Sequence, residues 1–332
     1  MVIVTNFRGF PSQWTAVSGD SGYSRQAATA AEFQSFSDLP DALFVVNCDP
    51  RLTLALAAAK LRSLGRNPVP IIAVDMVLRA PETLFQRAMA AVKNQLFKQV
   101  DLYIHYFRDF RRYATTFGIP LERNIFVPFK PNLGDRHASL SADPDGEYVL
   151  CFGRSMRDFD TFFTAVERLP YPAAIASPDM EQLRAHHARF TRPLDQLPTS
   201  VSILEDDGSE RSQINILRGS KLVVLPILKT SLVASGISTC LNAMLLGKCV
   251  VGSKGPGMSD IFEQEIIAVP PEDPSALAAA IQGAWEDNDL RLRTAHAGLQ
   301  YALRIGGESD LYQRIIDQSV LWYRRRETSI NA

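Results

Sequence analysis

Two arginines in one short segment are the side chains of this sequence best suited to hold an anion. Arg154 and Arg157 follow the apolar stretch YVLCF and Gly153, where a buried strand is expected to turn into a helix. The two guanidinium groups are therefore predicted to share one loop, and guanidinium forks match phosphate oxygens in geometry and charge. A pair of surface arginines balanced by the neighbouring aspartates is the competing interpretation.

A second anion-binding feature is the small-residue segment that precedes the apolar pattern LNAMLL. The stretch 222–225 is continuously apolar, as expected of a parallel strand buried on both faces, and Pro226 ends it. Unpaired backbone N–H groups and small hydroxyls then gather at a helix N-terminus, which attracts phosphate. An ordinary βαβ unit with a capped helix competes with this interpretation. The residues assigned to this terminus are Ser235, Gly236, Ile237, Ser238 and Thr239.

The apolar segments around these loops predict an α/β fold class with two Rossmann-like doubly wound domains. Predicted strands are 2–5, 43–46, 70–74, 102–105, 148–152, 173–176, 201–204, 222–225, 249–251 and 266–269. Predicted helices are 25–36, 53–64, 81–99, 107–117, 160–169, 274–285, 290–304 and 310–326. A Pro-, Gly-, Asp- and Ser-rich linker separates an N-terminal domain, 1–132, from a C-terminal domain, 146–305. Because ligands of such sheets bind beyond the carboxyl ends of the strands, we expect both domains to face a shared cleft.

Composition narrows the function classes. The formal net charge is −1 and there is no low-complexity tract, so neither disorder nor a nucleic-acid partner is indicated. Residues 1–134 nevertheless carry 15 Lys and Arg against 10 Asp and Glu, whereas residues 135–332 carry 20 against 26. The start MVIVTNF reads as a first strand, and no apolar run approaches membrane-spanning length, so a cytoplasmic location is expected. The four cysteines lie in or beside apolar segments and are interpreted as reduced, buried thiols: Cys48, Cys151, Cys240 and Cys249.

Residues 148–282 resemble the donor-binding domain of GT-B glycosyltransferases, in particular the large retaining family 4. Gly153, Arg154 and Arg157 correspond to the family's Gly-Arg and following basic residue, whose side chains contact the donor diphosphate. The segment LNAMLLGKCVV corresponds to the family's LEAMACGKPVV-like helix and strand, and the loop 255–260 corresponds loosely to its GG-(I/V)-P-E loop. The N-terminal half matches weakly, through strand order and the VTNF opening. The resemblance implies a nucleotide-diphosphate sugar as substrate and a final helix, 310–326, that crosses back onto the first domain.

The sequence departs from that family at its pair of glutamates eight positions apart, which are Ala234 and Asn242 here. In the family the first glutamate lies near the transferred sugar and the second holds the ribose hydroxyls. Alanine replaces neither contact, whereas the Asn242 amide retains the capacity to hydrogen-bond a ribose. Glu205 and Asp206, after the stretch VSIL, are placed to contact base or ribose, although a solvated turn explains them equally well.

A base is needed if the reaction inverts the anomeric centre, because the acceptor hydroxyl must lose its proton. Asp75 follows the apolar stretch PIIAV and is the favoured candidate; Asp20, in GDSGYSR, and Asp49, in NCDPR, are the others. A cap or turn role competes for each of them.

The acceptor side is assigned to the first loop and to one strand end. Ser21, Gly22 and Tyr23 resemble the Gly-rich first loop of this fold, which lets backbone approach a ligand closely. His105 ends the stretch VDLYIH and either contacts the acceptor or caps its strand.

The resemblance, together with these residues, implies a glycosyltransferase of the hexosyltransferase type, acting in polysaccharide or glycoconjugate biosynthesis, with a glycan, lipid-linked sugar or small molecule as acceptor. Arginines and backbone N–H groups are expected to stabilise the departing diphosphate, so neither a metal nor another cofactor is expected. Asp158 and Asp160 are not interpreted as the Asp-x-Asp cluster that a divalent-ion glycosyltransferase would use, since they fall at a helix start. A sugar-nucleotide epimerase of the same fold and a catalytically inactive glycosyltransferase-like subunit are the alternatives.

The predicted helix 81–99 is a candidate for contact with a membrane. Arg87, Lys93 and Lys98 stand among apolar residues of this segment, a pattern typical of a helix that lies on an anionic lipid surface. A surface helix packed on the domain core is the competing interpretation.

Overall fold

Short apolar segments build the sheet of the first unit. The structure is a computed structural model that describes residues 1–63, 69–81, 83–134 and 146–330. Within these residues the first sheet has the order β2-β3-β1-β4-β5-β6-β7, and all neighbouring strands are parallel except β2 and β3. Its strands are β1 (Val2–Thr5), β2 (Gln13–Thr15), β3 (Ser21–Gln26), β4 (Ala42–Asn47), β5 (Ile71–Val74), β6 (Leu102–His105) and β7 (Asn124–Phe126). The helices that follow them are α1 (Ala30–Gln34), α2 (Pro50–Arg62), α3 (Leu84–Phe97) and α4 (Arg111–Phe117).

The start of this sheet corrects the sequence prediction. Ser21, Gly22 and Tyr23 do not form a Gly-rich loop; they lie in β3, which pairs in parallel with β1 and in antiparallel with β2. Gly22 is required there because a Cβ at that position would collide with the Met1 carbonyl oxygen and the Trp14 ring. The predicted helix 25–36 is therefore shortened to α1, which begins at a capping box formed by Thr29 and Glu32.

The second sheet lies in the other unit and is fully parallel. Its order is β10-β9-β8-β11-β12-β13, in the part of the chain that the structure describes. Its strands are β8 (Tyr148–Cys151), β9 (Ala173–Ala176), β10 (Val201–Leu204), β11 (Ser220–Leu225), β12 (Cys249–Ser253) and β13 (Ile267–Val269). Its helices are α5 (Phe159–Val166), α6 (Met180–Ala185), α7 (Glu210–Gly219), α8 (Ile237–Leu245), α9 (Pro274–Glu286) and α10 (Asn288–Ile305). Strand order reverses between β8 and β11, so the loops that follow these two strands flank the switch point where open α/β sheets bind ligands.

Helices cover both faces of the second sheet, which explains its continuous apolar strands. One buried cluster joins alternate residues of β11, such as Val223 and Leu225, to Leu241 and Leu245 of α8. The other cluster joins the intervening residues to α5 and α9.

The chain divides into two units, of which the first is Met1–Pro128 with Ser309–Ala332 and the second is Phe129–Glu308. The last helix, α11 (Glu308–Ile330), supplies the C-terminal part of the first unit. Tyr312 donates its hydroxyl to the Arg8 carbonyl oxygen at 2.5 Å and packs on the Phe7 and Phe10 rings. Residues 135–145 of the predicted linker lie outside the described residues. No helix of the described chain combines the length and apolar character needed to cross a membrane.

Candidate functional site

The loop after β8 is held rigidly by backbone hydrogen bonds on both sides. Leu228 N–H donates to the Met156 carbonyl oxygen at 2.9 Å, and Asp158 N–H donates to the Pro226 carbonyl oxygen at 2.8 Å. On the other side, Arg189 N–H donates to the Arg157 carbonyl oxygen at 2.8 Å. These bonds fix the backbone on which Arg157 stands.

The Asp158 carboxylate is fully engaged elsewhere. It is buried, caps α5 through Thr161 N–H at 3.1 Å, and accepts the Thr161 hydroxyl at 2.7 Å. Arg189 pairs with both carboxylate oxygens, with its Nε at 2.9 Å from one of them. Asp158 is therefore neutralised by Arg189, and the interpretation in which it balances a surface Arg157 is wrong.

Arg157 is a buried guanidinium with incomplete hydrogen bonding. The residue is 1% exposed, and its Nε donates to the Phe152 carbonyl oxygen at 2.8 Å. Its Nη1 has no hydrogen-bond partner among the described residues. Burial lowers the pKa of the guanidinium, and it raises the pKa of the nearby Cys151 thiol to about 12, so this thiol supplies no compensating charge. A buried cation of this kind is costly unless an anion joins it.

Two glycines enclose this guanidinium. Gly153 has φ +92° and Gly236 has φ +84°, in the left-handed region that favours glycine. A Cβ on Gly236 would lie 3.0 Å from Arg157 Nη1, and a Cβ on Gly153 would collide with Nη2 and lie 3.1 Å from Thr239 Oγ1. Both positions need glycine because backbone and guanidinium approach each other so closely.

Gly236 is also the N-cap of α8, and no side chain caps this helix. The first-turn N–H groups of such a helix point out of its end and carry a partial positive charge. Arg157 and the α8 terminus therefore bring positive potential to one place, between the loops that follow β8 and β11.

A pocket of about 320 Å³ lies at this place. It is lined by residues suited to an anion, namely Gly153, Arg154, Arg157, Gly236, Ser238 and Thr239. Further polar residues that line it include Ser177, Asp179, Asp206 and Gln213. Arg154 is exposed at the pocket and donates to the Gln182 side chain of α6. The structure thus brings together six of the residues that the sequence assigned to a donor site.

The remaining assigned residues of the second unit do not line the pocket. Ser235 Oγ lies 2.9 Å from Ser231 Oγ and braces the loop, while the Ile237 side chain is buried in the core. Glu205 is exposed beside the pocket, and its neighbour Asp206 is the acidic residue that lines it.

The Asn242 side chain is hydrogen-bonded to the protein backbone. Its Oδ1 accepts the backbone N–H groups of Asn132 at 2.8 Å and Leu133 at 3.2 Å, and the residue is 7% exposed. The expected ribose contact through this oxygen is therefore corrected: the oxygen holds the segment that opens the second unit. At the other glutamate position, Ala234 packs against Gly257, where a Cβ would come within 2.5 Å of the Ala234 Cβ.

In the first unit Asp75 lies just past the carboxyl end of β5. Its backbone has φ +48°, beside Cys48 with φ +47° at the end of β4. Non-glycine residues in this region are strained and are frequent at functional sites. Burial raises the pKa of the Asp75 carboxyl to about 6. Cys48 is exposed, which corrects the interpretation of all four cysteines as buried thiols.

Asp20 and His105 have structural partners within the first unit. Asp20 precedes β3, at the opposite edge of the sheet from Asp75, and pairs with Arg324 of α11. His105 is buried among aromatic rings, and its Nε2 lies 2.8 Å from Asn124 Oδ1. Burial lowers its pKa to about 4, so the ring is neutral, and the predicted acceptor contact is corrected to a core role.

Sequence reasoning missed the polar residues that follow β9. Ser177 and Asp179 line the pocket, and Asp179 also caps α6 by accepting from Gln182 N–H at 3.0 Å. The carboxyl end of the strand next to β8 is a place where ligand contacts are expected, so this signal was present in the strand prediction.

Comparison with known proteins finds a glycosyl transferase family that resembles part of the second unit. Residues 175–287 match the family model of group 1 glycosyl transferases, a segment that contains the α8 terminus but not the loop of Arg157. No curated protein sequence matches the chain significantly.

Several solved structures share the fold. The Anabaena protein HepE in complex with UDP is 14% identical, with a TM-score of 0.63 over 89% of this chain and 85% of that chain. Sucrose-phosphate synthase of Thermosynechococcus elongatus is 15% identical, with a TM-score of 0.62 over 99% and 89%. Trehalose 6-phosphate synthase of Burkholderia multivorans is 17% identical, with a TM-score of 0.63 over 91% and 75%. These similarities confirm the GT-B fold class, and the family match confirms the resemblance of the second unit to a group 1 glycosyltransferase.

Proposed function

We propose that this protein is a glycosyltransferase that binds a nucleotide-diphosphate sugar in the pocket of its second unit and transfers the sugar to an acceptor hydroxyl. The observation that carries the proposal is the unpaired Nη1 of buried Arg157 beside the uncapped N-terminus of α8. A bound phosphate would stabilise both features, because Nη1 has no partner among the described residues and no side chain caps the first turn of α8.

The shape of the pocket supports a nucleotide more than a simple anion. Its volume of about 320 Å³ is in the range of small-molecule sites, and polar residues such as Ser177, Asp206 and Gln213 line it besides the two arginines. We infer that the diphosphate lies over Gly153 and Gly236, and that the nucleoside extends toward Ser177 and Asp206. Structures with the same fold support this donor class, since HepE is described in complex with UDP and with UDP-glucose.

In the proposed reaction, the bond between the anomeric carbon and the terminal phosphate oxygen breaks while an acceptor oxygen bonds to that carbon. Negative charge collects on the departing diphosphate, where Arg157 and the α8 N–H groups stabilise it. Arg154, exposed at the pocket, adds a second guanidinium there. Because these groups stabilise the charge of the departing diphosphate, the proposed reaction needs no metal ion.

Asp75 is the proposed base for an inverting transfer. The acceptor hydroxyl proton would pass to its carboxylate as the new C–O bond forms. A carboxyl whose pKa is about 6 is ionised at neutral pH and more basic than an ordinary aspartate. A hexose as the transferred sugar is supported by the UDP-glucose of HepE, and a sugar acceptor by a Burkholderia xenovorans trehalose-phosphate synthase in complex with glucose-6-phosphate.

Calorimetry with a panel of nucleotides tests the donor site. Wild-type protein is titrated with UDP, GDP, ADP and the corresponding nucleosides, and we expect one diphosphate to bind at least tenfold more tightly than its nucleoside. Arg157→Met should weaken that diphosphate by about 10- to 100-fold, the loss expected for a charged hydrogen bond. Arg168→Gln is the matched control, because Arg168 is an exposed arginine of the same unit bonded to Ser275. Equal binding of diphosphate and nucleoside, or equal effects of the two substitutions, would exclude this site.

A second candidate function is donor binding without turnover. Ala234 and Asn242 favour this function. Gly257 packs directly against Ala234, and Asn242 Oδ1 already accepts the backbone N–H groups of Asn132 and Leu133. Release of nucleoside diphosphate from the bound sugar donor, measured with a panel of sugar acceptors, separates the two. Tight donor binding with no release above the rate without enzyme would establish the binding protein.

A further inference from the structure

Helix α3 presents large apolar side chains to solvent. Leu84 is 83% exposed, Phe85 75% and Met89 42%. Phe85 and Met89 are four residues apart and lie one above the other on the helix surface, while Leu84 lies about 100° around the helix from Phe85. The three side chains therefore form one broad apolar stripe over the first two turns. Val77, exposed in the segment that leads to the helix, extends the apolar character of this region. Single exposed apolar residues are common on protein surfaces, whereas a contiguous apolar patch usually indicates a contact with another molecule.

The stripe belongs to a helix that is otherwise well anchored. Thr83 and Gln86 form a capping box at its start. At its other end Phe97 is buried against the Phe117 ring, with centroids 5.9 Å apart, and its carbonyl oxygen accepts the Tyr103 hydroxyl at 2.8 Å. Because one face of α3 packs on α2 and α4, its orientation in the unit is fixed, and the stripe cannot turn inward without breaking these contacts.

The chain segment that contains this helix is basic. Residues 77–117 contain seven Lys and Arg against three Asp and Glu, and one of those acids, Asp101, is paired with Lys60. Lys93 lies on α3, Lys98 directly follows it, and both are exposed. Most of the basic excess of residues 1–134 therefore falls in the segment that carries the apolar stripe.

We propose that the exposed face of α3 docks on a lipid surface with anionic headgroups. Leu84, Phe85 and Met89 enter the boundary between headgroups and acyl chains, while Lys93 remains at the level of the lipid phosphates. A convex apolar stripe flanked by lysines is complementary to a fluid anionic surface, which requires no preformed groove. This docking goes beyond the proposed sugar transfer and does not depend on nucleotide binding.

Co-sedimentation with vesicles tests the proposal on the full chain without nucleotide. Wild-type protein should bind phosphatidylcholine vesicles that contain 30% phosphatidylglycerol, and raising the salt concentration should weaken binding. Leu84→Gln/Phe85→Gln should lower the partition coefficient at least tenfold. Lys93→Gln should lower it about fivefold on the anionic vesicles only, as expected for one cation near such a surface.

The matched control is Val17→Gln/Leu194→Gln, which replaces two exposed apolar residues elsewhere and should leave vesicle binding unchanged. Thermal midpoints should stay equal in all variants, since every replaced side chain faces solvent. The proposal is overturned if wild-type protein ignores anionic vesicles or if the α3 double variant binds like wild type. A third outcome would also overturn it. If light scattering shows that the wild type is a dimer and the α3 double variant a monomer, and neither binds vesicles, the stripe joins two copies of the chain.

Discussion

Replacing Arg157 by methionine should weaken nucleotide binding while leaving the stability of the ligand-free protein unchanged or higher. Methionine keeps much of the volume and removes a buried charge whose Nη1 has no partner in the described chain. It also leaves the Phe152 carbonyl oxygen without the Nε donor at 2.8 Å, which costs about 1 kcal/mol. Removing a buried, uncompensated charge is worth more than this, so we expect the ligand-free variant to be as stable as wild type or more stable by up to about 2 kcal/mol.

The same substitution should remove most of the stabilisation by nucleotide. A ligand at a hundred times its dissociation constant stabilises wild type by about 2.7 kcal/mol. If Arg157→Met raises the dissociation constant about 50-fold, the same ligand concentration stabilises the variant by only about 0.6 kcal/mol. For a unit of this size that difference corresponds to a fall in the ligand-induced Tm shift from about 5–10 °C to about 1–3 °C.

Differential scanning calorimetry with and without the best-binding nucleoside diphosphate measures both quantities in one series. Arg168→Gln, tested in parallel, should keep the wild-type shift. A Tm that falls by several degrees without ligand, together with an undiminished ligand shift, would refute the reasoning, because Arg157 would then be an ordinary structural arginine.

Three further predictions concern single residues. Gly236→Ala should weaken nucleoside diphosphate binding at least tenfold in calorimetry, because its Cβ would lie 3.0 Å from Arg157 Nη1; Gly208→Ala, with φ +77° and open space around it, shares the backbone strain and should bind normally. Asp75→Asn should raise the free energy of unfolding by on the order of 2 kcal/mol at pH 8 and change it little at pH 4, as urea titrations would show: the native pKa of about 6 exceeds the unfolded value of 3.8, so the contribution of the protonated group is lost as pH rises through 6. The transfer rate of the wild type should fall below pH 6, where this base is protonated. Asn242→Ala should lower stability by about 2 kcal/mol, because the Asn132 and Leu133 N–H groups, the second of them buried, lose their acceptor, yet it should leave the nucleotide dissociation constant unchanged. A larger dissociation constant in this variant would instead support the ribose contact.

Strong periodicity made most of the fold predictable. Strands 2–5, 102–105 and 173–176 occur at their predicted bounds, because a parallel strand buried on both faces is a short apolar run with clear ends. Strand 201–204 also occurs at its predicted bounds, although it is a largely exposed edge strand. The hairpin of β2 and β3 escaped prediction because its strands are largely exposed and polar. Only Ser24 of β3 is buried, so neither apolar alternation nor a continuous apolar run marks this strand.

The glycines that line the pocket were predictable because they depend on backbone position. Gly153 follows β8, and Gly236 precedes α8 at the end of the loop after β11, so the strand order alone brings them together. The burial of Arg157 was not predictable, since it depends on Arg189, a residue distant in sequence that captures the Asp158 carboxylate. In the same way Asn242 acquires its partners from residues 132–133 through tertiary structure alone.

A crystal structure with the best-binding nucleoside diphosphate tests the central claim most directly. The account predicts that the diphosphate lies over Gly153 and Gly236, with the terminal phosphate within hydrogen-bond distance of the α8 N–H groups and the Arg157 guanidinium. A diphosphate bound elsewhere, with Arg157 still lacking a partner for Nη1, would contradict it.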